Sequence, residues 1–203
     1  MGEERTVHIV DDDDGIRDSL SAMLQACGYR CQLHPSALSL LAADAKALTG
    51  CAILDVRMPG MDGLALQREL LRRDIRLPVI FMTGFADVPL AVSAMRAGAV
   101  DFVEKPCALP KLREVIDRAL GTAATLPSGS QATGDLQMRF ERLTSRERDV
   151  LNCVIAGHPN KITAYKLGIS ARTVEIHRAR VMEKTQARSL SELVRMAMAA
   201  NVP

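Results

Sequence analysis

The chain has 203 residues, 48% of them hydrophobic, enough to bury one large core or two small ones. No apolar run approaches the roughly 18 residues that span a bilayer, and the first residues lack the basic-then-apolar layout of a secretory signal, so a soluble, cytoplasmic protein with no membrane partner is expected. The net charge of +2 hides an asymmetry: residues 1–120 carry 14 Lys and Arg against 17 Asp and Glu, and residues 121–203 carry 12 against 7, an acidic half joined to a basic half suited to a polyanion.

In chain order, short β-type runs alternate with amphipathic stretches through the first half. Strands are predicted at 6–10, 30–33, 51–54, 78–82 and 101–104, and helices at 16–26, 37–43, 64–73, 88–97 and 109–120. Such alternation implies a parallel sheet with helices on both faces. Residues 121–134, GTAATLPSGSQATG, are small and polar and read as a flexible linker. From about residue 136 the pattern is helical to the end, with breaks at 157–160, 168–170 and 187–189. The domains expected are therefore 1–120, a linker at 121–137, and 138–203. The five cysteines, Cys27, Cys31, Cys51, Cys107 and Cys153, are scattered without metal-ligand spacing and read as reduced structural thiols.

The chemistry of the first half gathers at strand ends. Asp11 to Asp14 follow the first strand and Asp55 follows the third, where an open α/β sheet binds ligands. Alone, such an acidic run is more often a solvated loop than a site. Clustered carboxylates invite a cation, and hard oxygen ligands suit Mg2+. Thr83 ends the fourth apolar run, Gly84 beside it leaves the approach open, and Lys105-Pro106 ends the fifth. A carboxylate nucleophile, a divalent ion, a hydroxyl and an ammonium together can receive a phosphoryl group: Asp55 attacks phosphorus, Lys105 neutralises its oxygens, and Thr83 bonds the product.

The segments HIVDDDDGIRDSL, CAILDVRMPGMDGL, VIFMTG and GAVDFVEKP, in this order, resemble the receiver domain of two-component signalling. The resemblance implies a flavodoxin-like sheet of order 2-1-3-4-5, Asp55 as phosphoacceptor, Asp11, Asp12 and Asp55 with the backbone carbonyl of Arg57 as Mg2+ ligands, and a cis bond before Pro106. It puts Phe102 at a switch position, although the residue alone also reads as an ordinary core aromatic. It implies a sensor histidine kinase as phosphodonor and a homodimer formed on phosphorylation through the fourth helix and fifth strand, with Val88, Leu90, Val92, Met95, Arg96 and Asp101 as interface candidates.

In the basic half, LTSRERDVLNCVIAG, HPNKITAYKLGIS, ARTVEIHRARVMEKT and SLSELVRMAMAAN read as four short helices, a pattern that a generic bundle would also give. On the third, Val174, His177 and Val181 share the core face, and Arg172, Glu175, Ile176, Ala179, Arg180 and Lys184 lie opposite. In a major groove, Arg180 suits guanine, Glu175 cytosine, and Ile176 or Ala179 a thymine methyl. Asn160 and Lys161 are placed for phosphates. LTSRERDVL, Asn160-Lys161, IS-x-RTVE-x-HR (which includes Thr173) and ARSLSELVRMA resemble the helix-turn-helix of the NarL/LuxR class, and the whole chain resembles FixJ-type response regulators. Pro159, Thr163 and Thr185 depart from that pattern and are expected to loosen packing beneath the third helix. Leu190, Leu193 and Val194 fit either a DNA-bound dimer contact or the domain's own core.

The function implied is a phosphorylation-dependent transcription regulator of promoter DNA, with RNA polymerase as a further partner. Its rivals are a phosphorylation-independent DNA-binding regulator and an aspartyl-phosphate phosphohydrolase. Such hydrolases place a second Asp two residues after the nucleophile, where this chain has Arg57.

Overall fold

The computed structural model describes residues 5–84, 88–122 and 130–200. Five strands, β1 Thr6–Val10, β2 Arg30–His34, β3 Cys51–Asp55, β4 Val79–Thr83 and β5 Asp101–Glu104, form one sheet. All pairings are parallel and the order is β2-β1-β3-β4-β5, the 2-1-3-4-5 order expected. The helices are α1 Asp14–Ala26, α2 Ala37–Leu41, α3 Gly63–Arg72, α4 Val88–Arg96, α5 Leu109–Thr122, α6 Ser130–Glu141, α7 Ser145–Ile155, α8 Asn160–Leu167, α9 Ala171–Thr185 and α10 Leu190–Ala199. Contacts divide the chain into two compact units, one holding the sheet with α1, α2, α3 and α5, the other α4 with α6 to α10.

In the sheet unit, β1, β3 and β4 are buried on both faces, so their sequences are near-continuous apolar runs, broken in β1 by the buried His8, rather than alternating ones. Period-two geometry still sorts the faces: Val7, Ile9, Cys51, Ile53, Ile80 and Met82 join Leu20 and Leu24 of α1 and Leu112, Val115 and Ile116 of α5 in one core. The acidic run is partly local machinery. Asp13 caps α1 by accepting from the Ile16 amide, and Asp14 pairs with Arg17. Asp62 and Ser36 cap α3 and α2 in the same way.

In the helical unit, Thr144 and Glu147 form a reciprocal capping box on α7, and Ser170 and Ser189 cap α9 and α10. Gly168 ends α8 with φ +65, a left-handed conformation that glycine adopts without steric cost, and this makes the turn into α9. Pro159 stands before α8 in extended conformation and supplies no side-chain cap; Asn160 is the first helical residue. Thr163 and Thr185 are buried as their apolar counterparts would be, and each hydroxyl has a backbone acceptor: the His158 carbonyl at 3.5 Å and the Val181 carbonyl at 2.7 Å. Neither leaves an unpaired hydroxyl beneath α9.

Of the residues read as linker, 123–129 lie outside the described ones. On either side α5 runs to Thr122 and α6 begins at Ser130. Helix α6 thus reaches back into the polar stretch; Gln131 and Ala132 are good helix formers, and the cost of Gly134, about 1 kcal/mol, is one a helix carries.

Candidate functional site

Register positions the first cluster. Val10 pairs with Leu54, Asp55 with Met82, and Thr83 with Glu104, so the residues that end β1, β3, β4 and β5 lie side by side at the carboxyl edge. Lys105 Nζ donates to Asp11 Oδ2 at 2.5 Å and to Asp55 Oδ1 at 2.7 Å, and the Lys105 amide donates to the Thr83 carbonyl at 2.7 Å. The second Asp55 oxygen accepts from the Arg57 amide at 2.7 Å, and Asp11 Oδ1 from the Asp13 amide at 3.0 Å. Asp11, Asp55 and Thr83 are buried, whereas Asp12, Arg57 and Gly84 are exposed. The bond between Lys105 and Pro106 is cis.

Burial raises the Asp55 pKa above its ordinary value, against the opposing pull of Lys105. For Lys105 the balance falls the other way: burial disfavours the ammonium, but Asp11 and Asp55 together outweigh it and the pKa rises. Two further residues, Arg17 and Gly63, build this pocket. Arg17, buried, donates to the Asp11 carbonyl at 2.5 Å. At Gly63 a Cβ would come within 2.3 Å of the Asp55 carbonyl oxygen, so only glycine lets α3 start this close to the end of β3. Phe102 is buried, and Asp101 is buried with Arg118 at 3.0 Å.

Among the described residues no group of three or more His, Cys, Asp or Glu is gathered into a metal-holding cluster, and Asp12 is exposed. The donor chemistry nonetheless fits Mg2+: two buried carboxylates face one ammonium, which leaves negative charge over, and Mg2+ takes few protein oxygens and keeps several waters.

The second cluster lies on α9. Val174 and Val181 are buried, with His177 half-buried between them, and Arg172, Glu175, Ile176, Ala179 and Arg180 are exposed together on the outward side. Thr173 is half-buried and bonds Ser170 at the helix start. Lys184 is not on that outward face: its Nζ donates to the buried Glu147 at 2.7 Å, a pair that holds the Glu147 carboxyl down to about 2. Asn160 is half-buried and accepts from Arg178 at 2.8 Å, joining α8 to α9, while Lys161 is exposed. Both pairs span many residues, so no local sequence signal announces them. Val88, Val92 and Met95 are buried, Leu90 is half-buried and Arg96 exposed; Leu193 and Val194 are buried and Leu190 half-buried.

Residues 7–117 match the family described as response regulator receiver domain, and residues 141–197 the bacterial regulatory proteins of the luxR family. The chain belongs to the response regulators. It is 46% identical over 202 residues to the transcriptional regulatory protein FixJ of Azorhizobium caulinodans, spanning all of this chain and 96% of that one. With FixJ of Rhizobium meliloti the identity is 47%, over 96% and 95% of the two chains. Among solved structures, full-length FixJ from B. japonicum superposes with a TM-score of 0.57 at 41% identity over the whole of both chains, and response regulator StyR with 0.55 at 36%, over 95% and 98%. This response regulator thus carries a receiver domain and a LuxR-type helix-turn-helix domain, and its family is one of DNA-binding regulators rather than catalytic enzymes. Among its described residues no helix is long and apolar enough to cross a membrane.

Proposed function

We propose that this response regulator takes a phosphoryl group from a sensor histidine kinase onto Asp55 and thereby changes its engagement with promoter DNA. The observation that carries the reading is the Lys105 ammonium set between Asp11 and Asp55 beside the end of β4. An Asp55 oxygen attacks phosphorus in line, the bond to the donor imidazole breaks, and that nitrogen leaves with its electron pair to be protonated. Lys105 then moves from carboxylate to phosphoryl oxygen, and Thr83 donates its hydroxyl. Asp11, Asp12, Asp55 and the Arg57 carbonyl are the residues to hold Mg2+, which when bound supplies positive charge to the transferring oxygens. Burial suits the step, because charge interactions in a site shielded from water are stronger than in bulk solvent.

The phosphoryl dianion biases α4 and β5 toward a homodimer. Of the residues named for that pairing, Arg96 is exposed and Leu90 half-buried, whereas Val88, Val92 and Met95 are buried. Two helix-turn-helix domains then read half-sites one or more duplex turns apart. Arg172, Thr173, Glu175, Ile176, Ala179 and Arg180 meet base edges or flanking phosphates, and Asn160 and Lys161 fix register. A cytoplasmic location follows from these partners.

The test is intact-mass measurement after a small acyl phosphate and Mg2+, compared with Asp55→Asn. The wild type gains the mass of one phosphoryl group and the variant none; labelling of the variant, or none of the wild type, defeats the assignment. DNA affinity measured before and after treatment separates this reading from a phosphorylation-independent regulator.

A further inference from the structure

Helix α1 holds a cation at the end where a helix disfavours one. Arg17 closes its first turn, four residues after the cap Asp13, where free amides and the helix dipole repel positive charge. It is also only 8% exposed, and a guanidinium is seldom buried unless paired. Helical side chains lean toward the N-terminus, so this one reaches back over the turn. Its two terminal nitrogens take different partners: Nη1 donates to the Asp11 carbonyl at 2.5 Å, and Nη2 donates to Asp14 Oδ1. The Asp14 side chain is 86% exposed, so that ion pair contributes little and does not account for the burial. The bond to the carbonyl is the one that reaches the pocket, tying the residue after β1 to the body of α1.

We propose that Arg17 is a positioning residue for Mg2+: it pins Asp11 from the backbone side and so fixes where that carboxylate stands. The proposal rests on the phosphoacceptor reading above and adds to it the group that sets its magnesium requirement. Every polar atom of Asp11 is engaged. Its amide donates to the His34 carbonyl at 3.3 Å, Oδ1 accepts from the Asp13 amide at 3.0 Å and Oδ2 from Lys105 at 2.5 Å, and the carbonyl belongs to Arg17. The bond to Asp13 lies inside the acidic loop, and Lys105 moves to the phosphoryl group in the reading above. The anchors that remain are therefore His34 and Arg17. Arginine suits this task because its planar fork spans two oxygens in fixed directions, whereas an ammonium is a point charge on a flexible stem. Groups that orient a metal's ligands set its affinity, and losing one costs about 10–100-fold. As a mere charge Arg17 would act in the opposite sense, since a cation near a divalent ion repels it. The two roles differ in sign, so removing the side chain tells them apart.

The experiment uses the full chain, with MgCl2 alone as the probe in titration calorimetry, and compares the wild type with Arg17→Met and Arg17→Lys. Methionine keeps an unbranched stem in the buried position, lysine keeps the charge, and melting followed by circular dichroism checks the fold of both. The expected result is a fall of about tenfold in Mg2+ affinity for Arg17→Met and a smaller one for Arg17→Lys. Labelling by a small acyl phosphate, read by intact mass, should then recover toward the wild-type rate as Mg2+ is raised, because Arg17 acts through Asp11 and not on Asp55. Unchanged Mg2+ affinity overturns the proposal whatever the melting temperatures, and leaves Arg17 a structural residue. Tighter Mg2+ binding overturns it as well, by showing that only the charge is felt, and so does a labelling rate that stays low at saturating Mg2+. If Arg17→Met does not melt cooperatively, Arg17→Lys decides alone, with a fall of about threefold as the threshold. A wild type that neither binds Mg2+ nor gains a phosphoryl group defeats the underlying reading, whereas a labelled wild type beside unaffected variants defeats this proposal only.

Discussion

The two clusters use charge in opposite ways. At the carboxyl edge of the sheet, Asp11 and Asp55 are buried around one lysine, whereas on α9 Arg172, Glu175 and Arg180 stand in solvent. Burial makes the first set costly to maintain unless each charge is paired. Exposure makes the second inexpensive, screened by salt and effective only as a group. A third arrangement lies between them: Glu147, buried in the helical unit, is held by Lys184 and by its own capping box, a charge used for architecture alone.

The largest effect expected is at Asp55, where Asp55→Asn abolishes phosphoryl uptake altogether, in contrast to the graded losses that any single substitution on α9 brings. Next, Glu147→Ala should destabilise the helical unit by about 1–2 kcal/mol in chemical denaturation, since it removes the capping box and the partner of the part-exposed Lys184. A loss under about 0.5 kcal/mol would put Glu147 with the surface charges. Its pKa of about 2 lies below the ordinary carboxylate value, so this contribution is whole above about pH 4.5 and is lost as pH falls toward 2.

The sheet unit should respond to milder acid. His8 and His34 are buried with their rings stacked and nitrogens 3.1 Å apart, and burial, then His8, lowers His34 to about 4. The unfolded chain therefore binds more protons, and thermal stability should decline as pH drops from about 6.5 toward 4. A His34→Gln chain should show a flatter profile over that window; an unchanged slope would refute the assignment. On α9, Arg180→Ala should reduce discrimination at one base pair by about 1–3 kcal/mol, and Lys161→Ala should weaken all sequences alike and flatten the salt slope by about one unit. Indistinguishable effects of the two on every duplex would erase the division between reading and positioning.

The sheet was legible because its strands are near-continuous apolar runs that end in Asp11, Asp55, Thr83 and Lys105. Boundaries moved by a residue or two for local reasons: α1 starts at Asp14 because Asp13 is its cap, and β2 extends to His34, which pairs in register with Val10. What the residue order could not yield were pairs that only folding brings together, Arg178 with Asn160 and Lys184 with Glu147. Helical periodicity placed Lys184 on the outward side, and a buried glutamate 37 residues away drew it inward. Thr163 and Thr185 read as weak points because a hydroxyl in a core is costly; nearby carbonyls satisfy both.

The clasp between Arg178 and Asn160 has a bearing on how this protein meets a polyanion. Four basic residues lie along α9, yet one guanidinium is tied to the neighbouring helix, one ammonium serves a buried acid, and Arg172 shares its charge with Glu175 at 3.1 Å. The number of counterions displaced from a duplex will accordingly track Arg180 and the few uncommitted cations rather than the tally of lysines and arginines, and affinity should survive moderate salt better than a positive half-chain suggests.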